Sequence, residues 1–237
     1  MELPPQTIET LRAITGPEGV SVARPDRDQH ARDQSSHPPH LPDAVVWPRT
    51  PAEVSAILRH ANNARLPVTP WGAGTSLEGN PIPVQGGIVL SLARMNQILT
   101  VHPTDFQVTV QPGVLYKDMN RQLARHGLFF APDPGANASI GGMVANNAAG
   151  IRTVKYGATK DNVLALEVVK ANGEILRTGS RSVKQSAEYD LTRLFVGSEG
   201  TLGIVTETTL KLAPLPEHFS AVTAAFPTVN DAAEAVF

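Results

Sequence analysis

The chain has 237 residues, of which 41% are apolar and 18% charged, with a formal net charge of −2. That is enough for one full core, or one domain and the start of another, in an ordinary water-soluble composition. There is no cysteine, so disulfides, thiolate nucleophiles and cysteine metal sites are excluded. Aromatics at 5% and mixed charge signs argue against a nucleic-acid groove or an anionic-membrane patch. No apolar run approaches the roughly 18 residues of a membrane span. The N-terminus lacks a basic start followed by an apolar run, so no signal peptide is expected and the cytoplasm is the default compartment.

Along the chain, residues 5–16 predict an amphipathic helix, with Ile8, Leu11 and Ile14 at helical spacing and Gly16 as its stop. Residues 24–43, rich in His, Asp and Pro, read as an irregular surface segment. A short apolar strand is expected at Ala44–Trp47. Thr50, Pro51 and Glu53 form a helix-start signal, and Val54, Ile57 and Leu58 share one face of the helix that follows to about Ala64. Leu66–Thr69 predicts the next strand. Strand, helix and strand within about 30 residues make a βαβ unit and hence a small parallel sheet.

Trp71-Gly72-Ala73-Gly74-Thr75-Ser76 follows that strand directly. Further strands are expected at 87–92 and 106–111, then a helix from Leu115 to His126 ended by Gly127. A second glycine-rich stretch runs from Pro132 to Gly150. Asn172-Gly173 predicts a hairpin between strands at 163–170 and 174–177. A long strand, Leu202–Leu212, follows Gly197-Ser198-Glu199-Gly200. Ala213-Pro214-Leu215-Pro216 reads as a linker, Phe219–Phe226 as a strand and Thr228 onward as a helix still unfinished at Phe237. A helix rarely ends on an apolar residue without a cap, so a second domain is expected to begin near residue 217 and to be truncated.

Glycine loops after strands allow backbone N–H groups to approach an anion, since no Cβ intervenes; a lone Gly-x-Gly is as readily a tight turn. The familiar nucleotide fingerprints are absent. Leu77 stands where the dinucleotide motif needs its third glycine. There is no Gly-Lys-Ser/Thr for a phosphate loop and no Gly-x-Ser-x-Gly hydrolase elbow around Ser198. His37-Pro38-Pro39-His40 lacks the helix and the carboxylates of a metal motif, and no metal site is expected.

Five segments occur in a set order: Pro67–Ser76, Ala131–Pro134, Ser139–Gly150, Lys155-Tyr156-Gly157 and Gly197–Thr206. Together they resemble the FAD-binding domain of the vanillyl-alcohol-oxidase superfamily, nearest to the FAD-linked D-lactate dehydrogenase and glycolate oxidase D-subunit group. The resemblance implies an α+β fold of two α/β subdomains, a small parallel sheet and then a larger, mostly antiparallel sheet with helices, with FAD between them. It implies an FAD-binding domain at 42–216, preceded by an N-terminal helix and irregular segment at 1–41 and followed by the start of a substrate-binding domain at 217–237.

The resemblance also implies the site. Pro70, Trp71, Gly72, Ala73, Gly74, Thr75 and Ser76 match the pyrophosphate loop. Pro134, Gly135, Ser139, Gly141 and Gly142 match a second loop along flavin and pyrophosphate, continued by Asn146, Ala149 and Gly150. Tyr156 and Gly157 match a pair on the flavin side, and Gly200, Gly203, Ile204 and Val205 match the strand at the adenine end. Thr75 stands where some members attach FAD through a histidine, so binding is expected to be non-covalent. Glu188 replaces a glycine often found before Tyr189-Asp190, while Asp190 still reads as a helix cap. The implied activity is oxidation of a 2-hydroxy acid of the D-lactate or glycolate type, with reoxidation by a further electron acceptor. The alternative is a stand-alone flavin-binding module without turnover. Either would have a small-molecule rather than a nucleic-acid partner, and a homo-oligomer or partner subunit is possible. The catalytic base and any metal ligands are expected beyond Phe237.

Overall fold

A computed structural model describes residues 3–187, 189–218 and 220–236. Two sheets pack side by side. The first subdomain begins with α1 (Pro5–Thr15), β1 (Val20–Ser21), α2 (Arg24–Gln29) and β2 (Ala44–Val46). α3 (Pro51–Ala64), β3 (Val68–Trp71) and β4 (Ile88–Ser91) complete it. The sheet order is β1-β2-β4-β3, with β2 and β3 both parallel to the central β4. The expected βαβ unit is therefore present. α3 starts where its sequence demands: the Thr50 hydroxyl accepts from Glu53 N–H at 3.2 Å, and the Glu53 carboxylate returns to Arg49 N–H at 2.8 Å, one residue before the cap. Leu11 of α1, Val54 and Ile57 of α3, and Ile88 and Leu90 of β4 close the core.

The second subdomain contains β5 (Ile98–His102), β6 (Gln107–Val110), α4 (Tyr116–Leu123), β7 (Leu128–Phe129) and α5 (Ile140–Ala145). It continues through α6 (Thr153–Tyr156), α7 (Thr159–Asn162), β8 (Val163–Val169), β9 (Ile175–Gly179), α8 (Leu191–Phe195) and β10 (Ile204–Lys211). β11 (Ala213–Pro214) pairs with β7, and α9 (Val229–Glu234) follows. The main sheet is antiparallel throughout, in the order β5-β6-β10-β8-β9. α4 and α5 bury Met119, Leu123, Ile140 and Met143 against Val108, Val110, Val168 and Leu210.

Apolar packing and a hairpin contact help hold the subdomains to one another. Val169 and Ile204, from the antiparallel sheet, belong to the apolar cluster of the parallel one. The β8–β9 hairpin also docks on α3, where Ser55 Oγ donates to the Gly173 carbonyl at 2.5 Å.

The structure corrects the sequence reading in five places, the first being that Ala213-Pro214, read as linker, form β11 against β7. Residues 24–43 are not simply an irregular surface segment: α2 lies within them, and His30 and Ala31 are buried. β5 was not expected; a bulge between Ile98 and Thr100 breaks the alternation that would reveal a strand. The last long strand starts at Ile204 rather than Leu202. Residues 220–226 form no strand, while Phe219, Phe237 and Glu188 lie outside the described residues. The helix expected from Thr228 is present as α9, with Thr228 and Asp231 in a capping box, and Asp190 caps α8 by accepting from Arg193 N–H at 3.0 Å.

Candidate functional site

A cavity of about 690 Å³ lies where the two subdomains meet, within the roughly 300–1,000 Å³ usual for small-molecule sites. One wall is the turn leaving β3. Another is the segment that leads into α5 and out of it. A third is the approach to β10. All of Pro70–Ser76 line the cavity, with Pro134, Gly135, Ser139, Gly141, Gly142, Asn146, Ala149, Gly200, Gly203, Ile204 and Val205. Segments up to 135 residues apart in the chain therefore converge on one space. Three expected residues do not line it. Gly150 packs on Asp133, where a Cβ would lie 2.2 Å from the Asp133 carbonyl oxygen. Tyr156 meets Phe129 edge-to-face at 5.5 Å, and Gly157 packs on Asp161.

The glycines turn out to serve the protein as well as any ligand. A Cβ on Gly72 would lie 2.3 Å from Ser139 Oγ, and one on Gly200 2.4 Å from Pro70 Cγ. One on Gly141 would meet Pro112, and one on Gly203 would meet Val168. Gly74, at φ +66°, sits on the Trp71 indole. Gly72 and Gly200 thus let the two subdomains close on each other, whereas Gly74, Gly141 and Gly203 allow close packing within one subdomain. Gly135 differs: nothing lies within 4 Å of a Cβ placed there.

Backbone donors are distributed unevenly. At the start of α5, Ile140 N–H donates to Val114, Gly141 N–H to Pro112 and Gly142 N–H to Ser139 Oγ. In the β3 turn, by contrast, the N–H groups of Ala73, Gly74, Thr75 and Ser76 donate to no acceptor among the described residues. Unpaired N–H groups that face a cavity need a ligand or water to accept from them. An uncharged, glycine-lined wall of free donors suits a pyrophosphate, whose oxygens are acceptors only.

The walls are joined by side chains as well. Asn146 Nδ2 donates to Glu78 Oε2 at 2.6 Å and to Ser76 Oγ at 3.2 Å, and Ser76 Oγ donates to Asn80 Oδ1 at 2.5 Å. Leu77, Glu78, Asn80, Phe195 and Glu199 line the cavity without having been singled out from the sequence. For Glu199 the signal was its place in Gly197-Ser198-Glu199-Gly200; in the structure it takes φ +54° there, a left-handed conformation that non-glycine residues rarely adopt. Among the described residues, the only ionisable side chains in the lining are Glu78 and Glu199, with no Lys, Arg, His or Tyr. Among the described residues no cluster of His, Asp or Glu could hold a metal, and no helix is long and apolar enough to cross a membrane.

Comparison with known proteins agrees with this arrangement. The family described as "FAD binding domain" matches residues 42–179, more than half of the chain. A probable mitochondrial D-lactate dehydrogenase of Danio rerio is 48% identical over 97% of this chain and 47% of its own length. The glycolate oxidase subunit GlcD of Bacillus subtilis is 45% identical over 96% of this chain and 49% of its own length. The mitochondrial cytochrome-type D-lactate dehydrogenase of Arabidopsis thaliana is 41% identical over 98% of this chain and 41% of its own. The chain thus spans about half the length of the curated relatives it matches. A solved alkyldihydroxyacetonephosphate synthase superposes with a TM-score of 0.85 at 24% identity, covering 99% of this chain and 45% of that one, and shares its fold. Two subdomains, two glycine loops meeting across one cavity and the family match agree: the chain belongs to the FAD-binding domain family.

Proposed function

We propose that this chain is the FAD-binding part of a flavin-dependent oxidoreductase that converts a 2-hydroxy acid of the D-lactate or glycolate type to its 2-oxo acid. The observation that carries the cofactor assignment is the row of free N–H groups at Ala73–Ser76, set in a cavity walled by both glycine loops. Those donors would hold the pyrophosphate. Pro134, Gly135, Ser139, Gly142, Asn146 and Ala149 would flank the flavin side, and Gly200 with Gly203–Val205 the adenine end. Tyr156, Gly150 and Gly157 would act from behind this wall by packing. Thr75 stands in the first loop, and among the described residues the lining holds neither His nor Tyr, which supports non-covalent binding of the cofactor.

Bound FAD supplies the two-electron acceptor for oxidation at C2 of the hydroxy acid. The residues of this chain orient it and exclude water. Among the described residues the lining holds no cation for a substrate carboxylate, which is best met by a charge-assisted partner. We therefore assign substrate recognition, the catalytic base and any metal to sequence that the relatives carry beyond the matched half, with a domain boundary near residue 217. An electron acceptor completes the reaction. The cytoplasm is the compartment we take as default; two relatives are named as mitochondrial, so cell fractionation decides.

The same absence of cations favours the reading that residues 1–237 alone bind flavin without turnover. The test is anaerobic mixing of the FAD-loaded chain with D-lactate, glycolate or D-2-hydroxyglutarate. Bound flavin that stays oxidised is the expected result. Bleaching of the oxidised-flavin absorbance by the chain alone would overturn the division of labour.

A further inference from the structure

The family match starts at residue 42, yet the cavity is braced by residues before it. Residues 30–37 run along the first glycine loop and the turn that follows it, touching the loop at Trp71 and Ser76 and the turn twice at Gly79. The His30 ring stacks on Trp71 at 5.0 Å between centroids. Asp33 Oδ2 accepts from Gly79 N–H at 2.8 Å. Gln34 N–H donates to the Ser76 carbonyl at 2.9 Å, and Gln34 itself lines the cavity. The His37 ring covers Gly79, whose φ of +83° and lack of a Cβ permit that approach.

The strap is itself fixed. His40 N–H donates to the Ala31 carbonyl at 2.9 Å, and His30 Nδ1–H donates to the Asp26 carbonyl at 2.8 Å. Asp33 Oδ1 also accepts from Ser35 N–H at 2.9 Å. Burial would raise the Asp33 carboxyl, but the hydrogen bonds from Ser35 and Gly79 outweigh it and hold the group below its ordinary value. Asp33 is therefore ionised at neutral pH and accepts from two backbone segments at once.

A loop whose own N–H groups at 73–76 are free, and which contains glycines, has many conformations to lose when it binds an anion. Fixing it beforehand lowers that cost. We propose that residues 30–37 are a built-in part of the cofactor site, a strap that holds the first glycine loop in its binding geometry, with Asp33 as the main positioning residue. This rests on the FAD reading above.

The experiment compares the wild-type chain with Asp33→Ala, His30→Ala and His30→Phe. It measures the FAD dissociation constant by flavin fluorescence, the unfolding midpoint of each FAD-free chain, and protease cleavage within 72–80. Loss of a charged hydrogen bond at a pre-set loop is expected to weaken FAD binding by about tenfold in Asp33→Ala. Its unfolding midpoint should fall by no more than about 4 °C, and cleavage within 72–80 should rise. His30→Ala should weaken binding too, and His30→Phe should restore most of it by refilling the space beside Trp71. Unchanged affinity in a folded Asp33→Ala chain would overturn the strap. So would an affinity loss matched by a collapse of the FAD-free fold, because Asp33 would then serve the fold in general. A wild-type chain that takes up no FAD contradicts the cofactor reading instead. The strap is then judged on cleavage, and equal rates in wild type and Asp33→Ala would reject it.

Discussion

Gly72 and Ser139 touch across the cavity: a Cβ on Gly72 would lie 2.3 Å from Ser139 Oγ. That hydroxyl is buried and caps α5 by accepting from Gly142 N–H at 3.3 Å. It cannot turn away without uncapping the helix. Gly72→Ala should therefore cost roughly 1 kcal/mol, the usual value of a lost cap, and Ser139→Ala about the same. The double variant should cost little more than either alone, since the two changes remove one interaction. Urea unfolding of the four chains checks this; fully additive losses would mean that the two residues are not coupled.

Gly135 separates fold from ligand. It lines the cavity, and nothing in the protein lies within 4 Å of a Cβ there. Gly135→Leu should leave the unfolding midpoint of the FAD-free chain unchanged to within about 2 °C and weaken FAD binding by at least about tenfold, because the added side chain competes for ligand space. Gly74→Val should also abolish uptake, but by a different route: its φ of +66° and its contact with Trp71 make the loop itself yield. Equal flavin content in Gly135→Leu and wild type would contradict the placement of that wall.

His30 gives a pH signature. Burial lowers its pKa, against the opposing influence of the hydrogen bond to the Asp26 carbonyl and of the Asp26 charge. The unfolded chain takes up a proton near the ordinary histidine value of about 6.5, whereas the folded chain does so only at lower pH. The unfolded state then binds more protons, so stability is fully present above the ordinary value and falls as pH drops below it. His30→Phe should flatten this slope between about pH 5 and 7. A wild-type slope that persists in the variant would assign it to another group.

The fold was legible where the signal is local. Thr50, Pro51 and Glu53 announce α3, Gly127 ends the turn after α4 at φ +68°, and Asn172-Gly173 marks the hairpin. The cavity was legible because its wall segments keep their order and spacing. What failed depends on distant partners. His30 is buried by Trp47 and Trp71, 17 and 41 positions away, so its own polar neighbourhood reads as surface. β5 is hidden by a bulge and by its exposed Leu99. Tyr156 and Gly150 lie in matching motifs but turn toward Phe129 and Asp133, a direction that spacing alone does not encode.

The antiparallel sheet carries a like-charge pair. Glu207 on β10 stands in register with Glu167 on β8. Burial first, and then the Glu167 charge, raise the Glu207 pKa, with Arg177 partly offsetting them. An acid raised in the folded state costs stability once pH exceeds its folded value, and the cost vanishes below the unfolded one. Glu207→Gln should therefore stabilise the chain at pH 7 by up to about 1 kcal/mol, with no gain near pH 3 to 4, a range set by the ordinary glutamate value of about 4.3. Thermal melts at both pH values read the difference, and a loss of stability at pH 7 would show that Arg177 depends on Glu207.

The most direct test of the account is titration of the purified, flavin-free chain with FAD, followed by acid precipitation. The expected result is saturable uptake of one flavin per chain and full release of that flavin into the supernatant, since the described residues of the lining include no His or Tyr. No uptake would contradict the cofactor site, and flavin retained in the precipitate would contradict non-covalent binding.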